Sequence, residues 1–357
     1  MNAKLIATIR LHCQHIARPR LTDPGALVAQ MGAMQAQDHA NALWAIGLRT
    51  AGADAVSVRA AIADRRIVRS WVLRGTLHCV AGADLRWMLA LLGERSIAGM
   101  AGRHRGLGLD DKLFAACAKL VVKALAGGKQ MTRPALFALL DDAGIATTGQ
   151  RGIHILWRLA QQGLLCFGDH AGKQPTFALL DDWLPAPGPR YTRDEALAEL
   201  AHRYATSHGP ASAADFAFWA GIKLSDARLG LAAGEGLEQV EADGVRYWMA
   251  PGAAEASAAP GGVFLLPGFD EYLLGYKDRG AVLAAEHAPR IAPGGNGVFK
   301  PMIVSGGRIV GTWQRAGAGV GTEPFIALKR RRHQGDRGRS ARGVRLLDRE
   351  NMTRRNY

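Results

Sequence analysis

Arg151-Gly152-Ile153-His154-Ile155-Leu156-Trp157-Arg158-Leu159-Ala160-Gln161-Gln162, followed by Leu164-Leu165-Cys166-Phe167-Gly168, is the stretch that decides the fold class. The first run sets Ile153, Ile155, Leu156, Trp157 and Leu159 at helical spacing. The second is short and apolar and ends on glycine, which reads as a strand. A Gly/His/Lys-rich turn leads to its partner strand, Thr176-Phe177-Ala178-Leu179. Two helices come before. Residues 110–125 are amphipathic through Leu113, Phe114, Cys117, Leu120, Val121 and Leu125. The next opens on Thr132-Arg133-Pro134, with Thr132 as N-cap, and stops at Gly144. Three helices and a β-hairpin make a helix-turn-helix with a wing.

The same pattern lies on either side. Upstream, residues 3–18 are helical, and Asp23-Pro24 starts a helix with Asp23 as N-cap and Pro24 at its first position. Residues 41–49 read as short helix or extended chain, and 57–64 as helix. Residues 67–80 read as a strand pair or a bend around Gly75. Downstream, Thr192 and Glu195 form a capping box that opens a helix through Tyr204. Helices over 212–220 and 224–231 follow, then a hairpin across Asp243-Gly244. After an Ala/Pro/Gly/Ser linker (251–262) the texture turns to β, with strands over 263–267, 298–304 and 308–313. The sequence therefore predicts an α+β protein of tandem winged-helix units braced by a C-terminal β-rich domain. The units span 1–100, 108–184 and 190–250, the β-rich domain 260–328, and a basic, disordered tail 329–357.

A chain of 357 residues holds about two to four units with cores of their own. No apolar run reaches the length of a membrane span, and the N-terminus lacks the apolar core and cleavage site of a secretory signal. Cys13, Cys79, Cys117 and Cys166 are far apart, without metal-like spacing, and read as reduced thiols of a cytoplasmic protein. The net charge of +14 favours a polyanion partner. Residues 329–357 carry eleven Lys/Arg against three Asp/Glu, a net +8, so the body holds a milder excess.

No HExxH, P-loop, placed GxGxxG or serine nucleophile elbow is present, and no acidic cluster reads as a metal site. Four stretches carry candidate chemistry. In Gln35-Ala36-Gln37 two amides, each both donor and acceptor, can hold a water against a substrate atom, although such a triplet is usually two solvated residues at a helix end. Arg69, Arg74 and His78 lie close together near Trp71 and Thr76; composition favours a partly buried strand with surface arginines over a phosphate grip. The stretch 266–279 mixes aromatic, acidic and basic residues and suits a seam held by Asp/Arg pairs better than a cleft. Lys300 and Arg308 flank a hairpin that either reaches a groove or guards a sheet edge with charge.

Taken together, Gln35-Ala36-Gln37 and Trp71-Val72-Leu73-Arg74-Gly75-Thr76-Leu77-His78 resemble the AlkZ-like winged-helix DNA glycosylases. So do residues 209–221, 266–279 and 296–313, in order along the chain. The resemblance covers roughly residues 3–328 and departs from Arg330 onward. It implies tandem winged helices braced by a β domain. It also implies hydrolysis of the N-glycosidic bond of alkylated purines by a monofunctional, monomeric enzyme at the nucleoid, without metal or cofactor. The partner implied is duplex DNA carrying alkylated or cross-linked purines. Gln35 and Gln37 match the family's catalytic Gln-x-Gln pair, and Gln at the second position places the chain nearer the branch that unhooks cross-links. Arg69, Arg74, His78, Lys300 and Arg308 are the expected DNA contacts. The alternative is a winged-helix DNA-binding regulator without catalysis. An RNA-binding module fits less well, because no suitable RNA-clamp signature is present.

Overall fold

The computed structural model describes residues 1–255, 262–295, 297–316 and 319–325. The tail from Lys329 and residues 256–261 of the 251–262 linker lie outside the described residues. After α1 (Ala3–Cys13), α2 (Pro24–Met31) begins where its cap dictates. Asp23 accepts from the N–H groups of Gly25 and Ala26, and Pro24 sits in the first turn, where a missing N–H costs nothing. Next come β1 (Met34–Gln35), α3 (His39–Arg49), α4 (Ala55–Ala63) and the antiparallel strands β2 (Ile67–Trp71) and β3 (Leu77–Ala81). Residues 41–49 are thus helical.

After α5 (Leu85–Gly106), the order of helix, two-residue strand, two helices and hairpin recurs twice. The first recurrence is α6 (Asp111–Leu125), β4 (Met131–Thr132), α7 (Arg133–Asp142), α8 (Arg151–Gln161), β5 (Leu165–Ala171) and β6 (Gln174–Leu179). Its strands form one antiparallel sheet in the order β4-β6-β5, followed by the short α9 (Leu180–Trp183). The second is α10 (Arg193–His208), β7 (Ala211–Ser212), α11 (Ala213–Ala220), α12 (Leu224–Ala233), β8 (Glu238–Ala242) and β9 (Val245–Met249), with sheet order β7-β9-β8. The capping box forms as its sequence requires: Thr192 N–H donates to Glu195, and Glu195 N–H donates to the Thr192 hydroxyl. The chain continues through β10 (Val263–Leu266), α13 (Glu271–Leu274), α14 (Ala288–Ile291), β11 (Met302–Ser305), β12 (Arg308–Ala316) and β13 (Gly319–Pro324). These four strands make an antiparallel sheet in sequence order. The strand predicted over 298–304 starts only at Met302, because Pro301 brings no N–H and Lys300 N–H donates to Ile291 O instead.

The chain divides into two compact units. The first comprises residues 1–61, 197–219 and 223 onward; the second comprises 62–196 and 220–222. In the first, Leu11, Trp44, Leu48, Leu266, Tyr272, Val304 and Ile309 share one core with Trp313. The indole N–H groups of Trp44 and Trp313 donate to Leu265 O and Leu266 O, tying the sheet to α3. In the second, Trp71, Phe114, Leu136, Ile155, Trp157, Phe167 and Phe177 form the core. The four cysteines are buried and free, and burial pushes the Cys13 and Cys166 thiols up to about 12 and those of Cys79 and Cys117 up to about 11. They are inert packing residues.

The 22-residue α5 is the element that the sequence reading lacks. Its buried residues gather in its first half, Leu85 to Gly93 with His104 beyond, so no stripe runs its length. Gly93 explains how it packs. A Cβ there would lie 2.4 Å from Gln161 O at the end of α8, so only glycine allows this approach. Gly93→Ala is expected to lower stability by ~1–3 kcal/mol, the usual cost of overpacking. Thermal unfolding of the full chain checks this, and an unchanged midpoint contradicts it.

Candidate active site

Gly32 ends α2 with φ +75°, a left-handed turn that sends the chain into β1. A Cβ on Gly32 would meet the Trp219 ring at 3.3 Å. Gln35 follows in β1, 9% exposed, and its N–H donates to Glu271 Oε1 at 2.6 Å. Ala36 is fully buried and Gln37 is exposed. Asp38 then caps α3, accepting from Asn41 N–H at 2.8 Å. The two glutamines therefore differ: one is enclosed and one is open to solvent. The backbone is fixed before them by Glu271 and after them by a helix cap.

The stretch 266–279 is an internal seam of the first unit, held by Asp/Arg pairs. Asp270 caps α13 through Tyr272 N–H and receives Arg49 through both oxygens, at 2.9 and 2.7 Å. Both side chains of this pair are fully buried. Gln14 accepts from Arg49 and donates to the Tyr276 hydroxyl, which donates to His208 O. The Arg10 guanidinium lies 3.6 Å over the Tyr276 ring. Asp215 accepts the N–H groups of Lys277 and Asp278. Glu271, 1% exposed, also accepts Trp219 Nε1–H at 3.0 Å, and His208 Nε2 stands 3.5 Å from it.

Burial holds the His208 imidazole below its ordinary value, against the opposing pull of Glu271. The ring is neutral, with its proton on Nε2, because Nε2 faces a carboxylate oxygen. Nδ1 lies 2.7 Å from the Ser207 hydroxyl oxygen, which also lies 2.6 Å from Arg203 O. Burial, helped by the charge of Arg20, lowers His15 to about 4. Burial raises the Tyr204, Tyr272 and Tyr276 phenols, so they act as hydroxyl donors. Tyr204 donates to Gly275 O, and Tyr272 donates to Ala7 O and Gly307 O.

Arg69, Arg74 and His78 belong to the second unit and lie on β2, the following turn and β3, but the register sets Arg69 opposite Cys79 and His78 opposite Ser70, so Arg69 and His78 are on opposite faces of the strand pair. Arg69 is half-buried, with its guanidinium 4.8 Å over the Phe167 ring. Arg74 is half-buried in the turn at φ 55°, followed by Gly75, whose carbonyl accepts Trp157 Nε1–H. His78 is fully buried and bonds through Nδ1 to Thr76 O. Lys300 and Arg308 are not together. Arg308 follows the Gly306-Gly307 turn and donates to Gly280 O and Ala281 O, while Lys300 is exposed beyond the other end of β11. A cleft of about 600 Å³ in the second unit, lined by Arg86, Trp87, Glu94, Tyr191 and Arg193, contains none of the predicted residues.

Glu271, Trp219, His208 and Arg49 support this geometry; Trp219 and Glu271 lie in stretches that resemble the family, but none of the four is among the site residues expected from the sequence. The available signal was Asp270-Glu271 set inside an aromatic run, charges that only a seam would bury.

Residues 28–333 match the DNA glycosylase AlkZ-like family, and the chain belongs to it. It is a DNA repair glycosylase, a hydrolase of N-glycosyl bonds, and not a non-catalytic regulator. Among curated proteins it is 29% identical over 331 residues to an interstrand DNA cross-link repair glycosylase of Streptomyces sahachiroi, covering 87% of each chain. Among solved structures it is similar to the Streptomyces sahachiroi DNA glycosylase AlkZ, with a TM-score of 0.83 and 26% identity. That match covers 98% of this chain and 97% of the other. The mixed helix and small-sheet architecture is shared. No helix among the described residues is long and apolar enough to cross a membrane.

Two predictions follow from the seam. Arg49→Met leaves Asp270 buried without its partner and is expected to cost ~3–5 kcal/mol, whereas Arg49→Met with Asp270→Leu costs less than the single change. Urea unfolding of the two variants checks the order. Second, His15 and His208 have folded-state values below the ordinary 6.5, so the unfolded chain binds more protons as the solution is acidified. Their stability contribution is complete above the ordinary value and is lost as pH falls below it. The unfolding midpoint is expected to drop between pH 7.5 and 5, and a flat profile contradicts this.

Proposed function

We propose that this chain is a monofunctional glycosylase that removes alkylated purines from duplex DNA and unhooks interstrand cross-links, with Gln35 and Gln37 as its catalytic pair. The observation that carries the reading is the placing of Gln35-Ala36-Gln37 on backbone fixed at both ends, in a member of a DNA glycosylase family. The cross-link substrate is taken from the relative's name.

Alkylation at N7 or N3 makes the purine cationic, so it leaves with the electron pair of the C1′–N bond. Positive charge then builds on the sugar. Carbonyl oxygens of Gln35 and Gln37 face that charge and hold the water whose oxygen bonds C1′. The water's proton passes to solvent or to the departing base, and no carboxylate base is required. The enzyme adds less than an undamaged base would demand, because the leaving group is already activated.

The architecture suited to this is tandem winged helices beside a β domain. The three successions of helix, short strand, two helices and hairpin support it. Arg69 and Arg74 grip phosphates. His78, enclosed, serves that grip from behind by holding the turn at Thr76. Exposed Lys300 meets the duplex directly, and Arg308 holds the hairpin that carries it. The enzyme works as a monomer in the cytoplasm, at the nucleoid.

Single-turnover release of 7-methylguanine from methylated duplex tests the reading. Gln35→Ala and Gln37→Ala are expected to lower the rate constant by about 10²-fold or more, with DNA affinity kept. Undiminished release in both variants would remove the site while leaving the activity. No release by the native chain from methylated or cross-linked duplex would sink the reading.

A further inference from the structure

Gln35 is held by more than its strand. β1 has two residues, too few to fix a side chain by ladder bonds alone. The extra hold is the 2.6 Å bond from Gln35 N–H to Glu271 Oε1. Such a bond to a buried carboxylate is charge-assisted and roughly twice as strong as a neutral one. It fixes the peptide plane between Met34 and Gln35, and with it the direction of the Gln35 Cα–Cβ bond.

The carboxylate is itself immobilised. Its other oxygen accepts Trp219 Nε1–H at 3.0 Å. The Trp219 ring packs against Tyr204, Phe216 and His208, and its far edge bounds Gly32. Trp219 thus touches the start of the 32–35 turn, and Glu271, bonded to Trp219, touches its end. One rigid pair grips both ends of the segment that delivers Gln35. Taking a carboxylate into the interior costs several kcal/mol.

We infer that Glu271 is the positioning residue for Gln35, setting its amide against the reacting sugar through the bond it accepts from the Gln35 N–H. This rests on the reading of Gln35 as catalytic. Glu271→Gln would present one amide oxygen and one NH2 group to two donors, the Gln35 N–H and the Trp219 indole, so one of them faces another donor. Adding Trp219→Phe removes that conflict. The amide oxygen then serves Gln35 N–H, and the NH2 group donates to His208 Nε2. His208 shifts its proton to Nδ1, where the Ser207 oxygen accepts it while donating to Arg203 O.

The test measures single-turnover release of 7-methylguanine and affinity for the same duplex in the full chain. Glu271→Gln is expected to lower the rate constant by ~10²-fold, the effect of misplacing a reacting group by about 1 Å, with affinity unchanged. The double variant is expected to recover most of that loss. Val304→Ala, a core change in β11, is expected to lower stability without lowering the rate, which separates positioning from general loosening. If Glu271→Gln does not fold, Glu271→Met with Trp219→Phe, which takes the acceptor from the Gln35 N–H, carries the test: a rate constant lowered by ~10²-fold with affinity kept supports the inference, and a native rate overturns it. A native rate in Glu271→Gln alongside an inactive Gln35→Ala overturns the inference and leaves the proposed function standing. A native chain that releases no base overturns both.

Discussion

Asp270 and Glu271 are two adjacent carboxylates carried into the interior of the first unit, and the rest of that unit is arranged to receive them. Charges buried in this way are tolerated only when they are fully bonded. Asp270 meets the Arg49 fork and the Tyr272 N–H of the helix it caps. Glu271 meets a main-chain N–H and an indole N–H. Arg49 in turn occupies Gln14, Gln14 occupies Tyr276, and Tyr276 occupies the backbone of His208. Segments from the start, middle and end of the chain are thereby locked into one polar network. Apolar packing alone would leave their register free, because cores tolerate many arrangements of similar volume. Directional bonds do not.

In the function proposed for this chain, that constraint acts through Gln35. A catalytic amide carries no charge and has little intrinsic power, so its value lies in being aimed. Preorganised dipoles stabilise developing charge because they need not reorient during the reaction. A stiff buried seam behind a partly enclosed glutamine supplies that preorganisation. In the same proposal, affinity for the polymer comes from elsewhere. The net charge of +14 suits a polyanion, and the half-buried arginines of the β2–β3 hairpin are fixed by stacking and by turn geometry.

Much of the fold is legible in the sequence because its signals are local. Asp23-Pro24, Thr132-Arg133-Pro134, the Thr192/Glu195 box and Asp243-Gly244 each mark an element end by their own chemistry, and each element begins or turns there. α5 was not legible. Its apolar residues lie mostly in its first half, and Gly93 resembles a breaker until Gln161 O is seen against it. The candidate site was half legible. Gln35 and Gln37 stand out as a motif, but the Gln35 N–H is held by Glu271, 236 residues away along the chain. Arg308 reads as a groove contact until its bonds to Gly280 O and Ala281 O appear. Long-range hydrogen bonds of this kind leave no periodic trace.

The most direct test is a crystal structure of the chain bound to duplex DNA carrying a cationic azasugar, a mimic of the oxocarbenium-like sugar. The account predicts the cationic ring nitrogen within hydrogen-bond reach of the Gln35 and Gln37 amide oxygens, or of one water that both hold, with the Gln35 N–H still on Glu271. An azasugar seated away from both glutamines would contradict it.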